Sequence, residues 1–362
     1  MLGQKLIALD IGNRTTKIVY GLANKKNIVI YEYDIIDTPE NSIKDGMIIN
    51  PEQLSLSILK TLKKNKIGSG TLVFNVTGTG VINREIQLPD STEEELKQIL
   101  EFEAQQYFPV DLSNYTTDFK VLEKVKTDSI NQCKVLIVAA PNKQLESFIK
   151  LSSLIKRSLH NIDIPANCVL KLEAFLGDKA DGFDEDYAIV DIGKDTSMIC
   201  IFRNNVLKFS RILLNGSAEI DNHIASNFNI EYNRAENIKT AYRAMDINKD
   251  YSGYGNGETA VKIEQSKLTE VIENAIGNIA SDITRFIEFY NSRETSNQVR
   301  KIYLCGGGSK LSGVNEMLSS IFNMTVQRYP LKKEIIYKGK KDPKEFEEDY
   351  IKLINAIGSL IN

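Results

Sequence analysis

Three short runs of apolar and β-branched residues open the chain, Leu6–Asp10, Thr16–Leu22 and Ile28–Ile36, separated by turns rich in Gly and Asn. Runs of this length bounded by turn formers predict strands, and their spacing predicts a hairpin meander. Beyond Pro51 the period changes: Leu54, Ile58, Leu59 and Leu62 share one face of a helix, and Thr71–Val76 returns to a β-branched run. The meander then recurs at Tyr187–Asp191, Met198–Arg203 and Val206–Ile212. Written out, ALDIGNRTTKIVYGLANKKNIVIY and AIVDIGKDTSMICIFRNNVLKF are two copies of one unit, with Asp-x-Gly turns at Asp10 and Asp191. A duplicated two-lobe α/β fold follows.

A different block lies between the copies. Arg84–Leu88 predicts a strand stopped by Pro89, and Ser91 with Glu94 has the spacing of a capping box. The helix this opens carries Leu96, Ile99, Leu100, Ala104 and Tyr107 on one face. Strands Thr117–Val121 and Lys134–Ala140 and an amphipathic helix from Asn142 to Arg157 complete an inserted subdomain. Downstream, Ala218–Phe228, Arg234–Met245 and Leu268–Tyr290 predict helices, and the strand Lys301–Leu304 meets a glycine cluster. Tyr251–Glu258 (YSGYGNGE) lacks core-forming residues and is expected to be a mobile loop. Mixed charges from Lys332 to Lys352 predict solvated surface before a short helix around Ile351–Leu360. The expected division is a first-lobe core of 1–83 with 159–180 and 351–362, and an insert of 84–158. The second lobe takes a core of 181–228 with 299–350, and a helical subdomain of 229–298.

Composition changes the picture by exclusion. In 362 residues, 42% are hydrophobic and 26% charged, ordinary values for a chain that buries its own core without covalent staples. A formal net charge of −3 provides no positive field to attract nucleic acid. Cys133, Cys168, Cys200 and Cys305 lie far apart in or beside apolar runs, and with only His160 and His223 no zinc spacing exists, so free buried thiols are expected. Asp10 interrupts the first apolar run too early for a signal peptide, and no apolar stretch approaches the roughly 20 residues of a membrane span, so direct membrane insertion is not expected.

Four segments carry candidate chemistry. Asp10, Gly12, Asn13, Arg14, Thr15, Thr16 and Lys17 close a hairpin where glycine admits an anion close to the backbone and the turn N–H and hydroxyl groups can donate to it. The carboxylate at the strand end can hold Mg²⁺ through water. Taken alone, such a segment is only a turn. Asp191, Gly193, Lys194, Asp195 and Thr196 repeat it, which makes coincidence a poor account and pairs Asp10 with Asp191 as candidate metal carboxylates. The third segment, Gly306, Gly307, Gly308, Ser309 and Leu311, follows a strand and is read as leading into a helix whose N-terminus favours anions. It matches neither the P-loop nor the dinucleotide fingerprint. In the fourth, Glu236 and Lys239 stand one helical turn apart, able to reach a ribose or base or simply to form a surface ion pair.

With these four segments in this order the chain resembles the superfamily of actin, sugar kinases and DnaK-type chaperones. Asn83–Glu123 (NREIQLPDSTEEELKQILEFEAQQYFPVDLSNYTTDFKVLE), the run TPENSIKDGMIINPEQL from Thr38 and ITRFIEFYNS from Ile283 narrow the resemblance to the PilM family, an FtsA-like branch of the bacterial actins. That resemblance covers nearly the whole chain. It implies an actin-like two-lobe fold of duplicated ribonuclease H-like domains with an FtsA-type insert, binding ATP and Mg²⁺ between the lobes. It also implies a cytoplasmic place at the inner face of the membrane. There the N-terminal cytoplasmic tail of PilN would lie in a groove by the insert, lined by Leu88, Phe102 and Tyr107. Pilus motor ATPases or the platform protein would be further partners, and a homo-oligomer is compatible with it.

One departure bears on catalysis. Chaperone-type and FtsA-like relatives often carry an acid just before a proline near the attacking water, whereas here Ile164 precedes Pro165 and Asp163 is offset by one residue. In a strand that offset turns the carboxylate to the opposite face. Nucleotide binding with slow hydrolysis at most is the expectation. An FtsA-like polymerising protein is the alternative, but Leu353–Ile361 follows without the flexible linker that precedes a membrane-targeting helix in such proteins. A small-molecule kinase would need a substrate-pocket acid, and none is assignable.

Overall fold

Backbone pairing closes the first meander in the register its turn demands. In the computed structural model, which describes residues 4–126, 131–177, 185–246, 251 and 263–361, Asp10 lies opposite Lys17 and Ile11 opposite Thr16. The chain runs through β1 (Leu6–Ile11), β2 (Thr15–Ala23), β3 (Ile28–Asp37), the short β4 (Ile43–Lys44) and β5 (Met47–Ile48), α1 (Pro51–Lys64) and β6 (Thr71–Asn75). The insert follows as β7 (Ile82–Pro89), α2 (Glu93–Tyr107), β8 (Tyr115–Lys126), β9 (Asn131–Pro141) and α3 (Asn142–Ile155), before β10 (Leu159–Asp163) and α4 (Pro165–Leu176). A second series comprises β11 (Asp186–Ile192), β12 (Ser197–Arg203), β13 (Val206–Leu213), α5 (Ala218–Phe228), α6 (Tyr232–Ala241) and α7 (Gln265–Arg293). It continues with β14 (Val299–Cys305), α8 (Val314–Phe322) and β15 (Thr325–Arg328), and the chain closes with β16 (Ile335–Tyr337), α9 (Pro343–Asp349) and α10 (Ile354–Gly358).

Two sheets repeat one topology. The first has the order β10-β6-β1-β2-β3-β16 and the second β13-β12-β11-β14-β15, so β3-β2-β1-β6-β10 and β13-β12-β11-β14-β15 correspond strand for strand. In both, the strand bearing the Asp-x-Gly turn pairs in parallel with a later strand, β1 with β6 and β11 with β14. The duplication read from the meanders is thus a duplication of whole sheets. Residues of the first sheet such as Ile7, Leu9, Val73 and Phe74 are fully buried, as are Ile189, Ile201 and Ile302 of the second.

The chain divides into two compact units. The first takes the described residues up to Gly177, Phe202–Ser210 and everything described from Leu331 onward; the second takes Glu185–Ile201 and the described part of Arg211–Pro330. In the first, a separate three-stranded sheet, β7-β9-β8, packs Leu88, Val135 and Ile137 against Leu96, Leu100 and Ala104 of α2, the helical face expected from the sequence. In the second, α7 buries Leu268, Val271, Ile272, Ala275, Ile276, Ile279, Ile283, Ile287 and Tyr290, a stripe at helical spacing along 29 residues.

Two expectations change. The capping box belongs to Thr92 and Glu95, not Ser91 and Glu94: Thr92 accepts from Glu95 N while Glu95 Oε2 accepts from Thr92 N. Both frames satisfy the S/T-x-x-E pattern, and only the helix start at Glu93 distinguishes them. The segment from Lys332 to Lys352 is more than solvated surface. It supplies β16 to the edge of the first sheet beside β3, and Phe346 and Tyr350 are buried. Sparse apolar residues among charges hid an edge strand and a one-sided helix. All of the YSGYGNGE loop except Tyr251 lies outside the described residues. The four cysteines are free and buried, and among the described residues no helix is long and apolar enough to cross a membrane.

Candidate functional site

The two Asp-x-Gly hairpins are built alike down to single hydrogen bonds. Gly12 N donates to Thr15 O at 3.1 Å, and Gly193 N donates to Thr196 O at 3.0 Å. Each turn follows the strand end that carries the carboxylate, Asp10 on β1 and Asp191 on β11.

In the first unit, Asp10 is 6% exposed and Lys17 Nζ stands 3.3 Å from its Oδ2. Thr38 Oγ1 donates to Gly12 O at 2.7 Å, which leaves it to accept from Thr16 Oγ1 at 2.9 Å. Thr16 is wholly buried, so its hydroxyl fastens the turn from beneath and does not reach out to an anion. Asn13 and Arg14 are exposed at the tip, Thr15 is half-buried, and Arg14 Nη1 bonds Asp37 Oδ1 at 2.7 Å. Nothing in the sequence tied Thr38 to this turn; its contact to Gly12 spans 26 residues.

In the second unit, the hairpin and the glycine turn form one assembly. Gly306 has φ +82°, and a Cβ there would lie 2.1 Å from Asp191 Oδ1 and 2.6 Å from Ile192 O. A Cβ on Gly308 would lie 2.4 Å from Ile192 Cγ2, whereas one on Gly307 would meet nothing within 4 Å. The turn leads first into a short 3-10 helix, Gly308–Lys310, and α8 starts only at Val314 behind Gly313, so the glycines do not form the helix N-terminus expected from the sequence. Ser309 is fully buried and donates to Gly306 O at 2.7 Å, and Leu311 is 8% exposed. Both side chains hold the turn's shape, which leaves Gly307 as its open backbone.

Lys194 and α6 complete that half. Lys194 Nζ lies 3.8 Å from Glu236 Oε1 and 5.1 Å from the Tyr232 ring centroid, a cation above an aromatic face. Lys239 does not point outward for a ligand. Its Nζ donates to Asp221 Oδ2 at 2.6 Å and to Ser217 O at 3.1 Å. Asp221 is fully buried on α5; burial pushes its carboxyl up, opposed by the Lys239 ammonium. Tyr232 Oη also donates to Asp221 Oδ2 at 3.2 Å, and burial, reinforced by the Asp221 charge, pushes the phenol up. Asp221 thus pins two residues of α6. The only signal for it in the sequence was an acid beside the apolar Ile220 and Ile224 face of a helix.

Asp163 is engaged internally. Its Oδ1 accepts from Ile164 N and Asn167 Nδ2, both at 2.8 Å, and Lys171 Nζ lies 2.9 Å from Oδ2. A buried carboxylate with two hydrogen bonds at one oxygen and an ammonium beside the other is poorly placed to orient water. On the insert, Leu88 is 4% exposed within the core cluster, and half-buried Tyr107 packs against the same core. Phe102, on the opposite side of α2, is 87% exposed. For metal, no cluster of three or more His, Cys, Asp or Glu exists among the described residues. Asp10 and Asp191 suit Mg²⁺, which takes one or two carboxylates and otherwise keeps water and phosphate oxygens.

Duplicated sheets with paired Asp-x-Gly hairpins define an actin-like protein. Residues 8–361 match the family model of the type IV pilus assembly protein PilM, and the chain belongs to that family. The fold is similar to that of a PilM-PilN type IV pilus biogenesis complex, with TM-score 0.79 and 21% identity over 98% of this chain and 97% of that one. It is also similar to MreB 5 of Spiroplasma citri bound to AMPPNP, with TM-score 0.53 and 13% identity over 98% of this chain and 95% of that one. In sequence, the cell division protein FtsA of Streptococcus pneumoniae is 19% identical over 89% of this chain and 74% of its own length. FtsA of Buchnera aphidicola subsp. Baizongia pistaciae is 29% identical over 38% of this chain and 36% of its own length, about a third of that relative.

Proposed function

We propose that this chain is a nucleotide-binding scaffold of type IV pilus assembly, taking Mg²⁺ and ATP through the hairpins at Asp10 and Asp191 and the glycine turn at Gly306–Gly308. The observation that carries the reading is the congruence of the two hairpins, each a carboxylate followed by a turn closed from Gly N–H to Thr C=O. Gly307 and the exposed turn tips offer backbone approach, and Lys194 offers a cation beside Glu236. Lys239 and Ser309 are structural members of this set, while Glu236 remains the candidate for the ribose.

The scaffold reading extends to partners. The N-terminal cytoplasmic tail of PilN would be held at the insert, with Phe102 its exposed aromatic candidate, and the protein would sit at the inner face of the membrane through that partner. Motor ATPases or the platform protein would be reached through the same assembly. Turnover would be slow, because Ile164 replaces the acid before proline and Asp163 is locked to Lys171.

Titration with a fluorescent ATP analogue tests the first half. Saturable, Mg²⁺-dependent binding is expected, with at least a tenfold loss in Asp10→Ala and in Asp191→Ala. Binding that is unchanged in both variants would overturn the site.

A further inference from the structure

Two lysines of the second unit belong to one cluster and are held in opposite ways. Lys239 Nζ is clamped: it donates to buried Asp221 Oδ2 at 2.6 Å and to Ser217 O at 3.1 Å, and its side chain is 14% exposed. Lys194 Nζ stands 3.8 Å from Glu236 Oε1, beyond hydrogen-bond length, with a quarter of its side chain open to water. It also lies 5.1 Å from the centroid of the Tyr232 ring, an attraction that fixes no direction. Tyr232 and Glu236 are four residues apart, so they share one face of α6, and both reach the same ammonium.

The frame around that ammonium is fixed. Ser217 N donates to Gly193 O at 2.9 Å and Ala218 N to Lys194 O at 2.8 Å, so the start of α5 carries the backbone of the turn. Gly216 fits against it so closely that a Cβ would lie 2.3 Å from Lys194 O. From the same helix, Asp221 receives Tyr232 Oη at 3.2 Å as well as Lys239 Nζ, which ties α6 down near both of its ends. One helix thereby sets the turn and α6 together. The part left to move is the Lys194 side chain, a point charge on a flexible four-carbon stem.

We propose that Lys194 and Glu236 determine specificity by exchanging partners, so that this half of the site selects a ligand carrying both a polyphosphate and a ribose. The inference deepens the nucleotide reading above and rests on it. Without ligand, the Glu236 carboxylate stands in for a phosphate beside Lys194. A carboxylate only accepts hydrogen bonds, so a ribose hydroxyl arriving at Glu236 competes with the ammonium for its oxygens. A polyphosphate arriving at the turn competes with Glu236 for the ammonium, and its greater charge favours it. When both groups belong to one ligand, drawing Lys194 onto phosphate releases the carboxylate to the ribose, and each lost contact is replaced. Either fragment alone makes one contact by breaking another, and specificity lies in that difference.

Direct titration of the full chain with ATP, inorganic tripolyphosphate and adenosine, each in the presence of Mg²⁺, tests the exchange. Glu236→Gln is expected to raise tripolyphosphate affinity about threefold, the scale of a part-exposed ion pair, because the ammonium is released. Lys194→Gln is expected to raise adenosine affinity by a similar factor, because the carboxylate is released. A merely structural pair would give no such gains, since breaking it would weaken both fragments. Tripolyphosphate should bind the double variant no better than Lys194→Gln alone, because the carboxylate acts through the ammonium. A Glu236→Gln gain that persists in the double variant means plain repulsion between carboxylate and phosphate, and overturns the exchange. Absence of either single-variant gain overturns it as well, and ATP binding in the wild type then leaves the nucleotide reading standing. A wild type that binds none of the probes refutes the nucleotide reading, and the exchange falls with it.

Discussion

Gly306 and Gly307 are adjacent yet answer to different constraints. Gly306 occupies a left-handed conformation with the Asp191 carboxylate where a methyl group would go, whereas Gly307 is helical at φ −65° with open space beside it. Gly306→Ala is expected to displace Asp191, lower nucleotide affinity at least tenfold and cost about 1–2 kcal/mol from the left-handed backbone alone. Gly307→Ala is expected to leave stability within about 0.5 kcal/mol. Thermal melts and analogue titration of the pair check both, and equal effects would refute the packing argument. At this scale the sequence displayed the carboxylates and glycines of the turns but not the groups that hold them in place. Asp10, Asp191 and the glycines stood out because their chemistry is local. Thr38 and Asp221 did not, because Thr38 reaches Gly12 across 26 residues and Asp221 reaches Lys239 across 18. Leu88 shows the same limit, since an apolar residue at a strand end looks alike in sequence whether it faces a partner or its own helix, and here it packs in the insert's core.

Elements were legible where their signal was carried within a dozen residues. Meanders, the apolar face of α2 and the stripe of α7 all follow from period alone, and turn residues placed their ends. Ambiguity entered where two frames satisfied one rule, as at the start of α2. The structure assigns the cap to Thr92, so Thr92→Ala is expected to cost about 1 kcal/mol of stability and Ser91→Ala almost nothing. Chemical denaturation of the two variants checks the assignment, and the reverse order would restore the other frame. β16 and α9 had no such local signal. Ile335–Tyr337 is a strand of three residues whose partner is β3, some three hundred positions earlier, and α9 buries a single aromatic residue, Phe346.

In the whole molecule, the segment from Leu331 onward closes the first unit. Tyr337 stacks on Phe346 with centroids 4.5 Å apart, and Tyr33 of β3 meets Phe346 edge-on at 5.5 Å. Beside them, buried Asp34 receives Lys64, Asn65 and Lys341 at 3.2, 3.0 and 3.4 Å. Burial pushes the Asp34 carboxyl up, but the Asn65 and Lys64 hydrogen bonds and the Lys341 charge outweigh it and hold the group below its usual range. Burial likewise pushes the Glu123 carboxyl up, and Lys208 with Lys134 outweighs it. Asp34 and Glu123 both have folded-state values lowered relative to the unfolded chain. Their stabilisation is therefore present above the unfolded carboxylate values and lost as pH falls through the folded ones, in a window below about pH 4. The melting temperature is expected to drop across that window, and Asp34→Asn with Glu123→Gln should start lower at pH 7 and fall less on acidification. Parallel pH profiles for variant and wild type would remove these two groups from the account.

The four buried thiols reach beyond packing. Burial pushes those of Cys133 and Cys168 up, away from the thiolate form that reacts. The native chain is therefore chemically quiet toward maleimides, and a cysteine introduced in place of exposed Phe102, or at the solvent-facing Asn13, would be the one site to take a label. Fluorophores for distance measurement or spin labels for resonance work can be installed on the otherwise unaltered sequence, without first stripping out cysteines on which the cores depend.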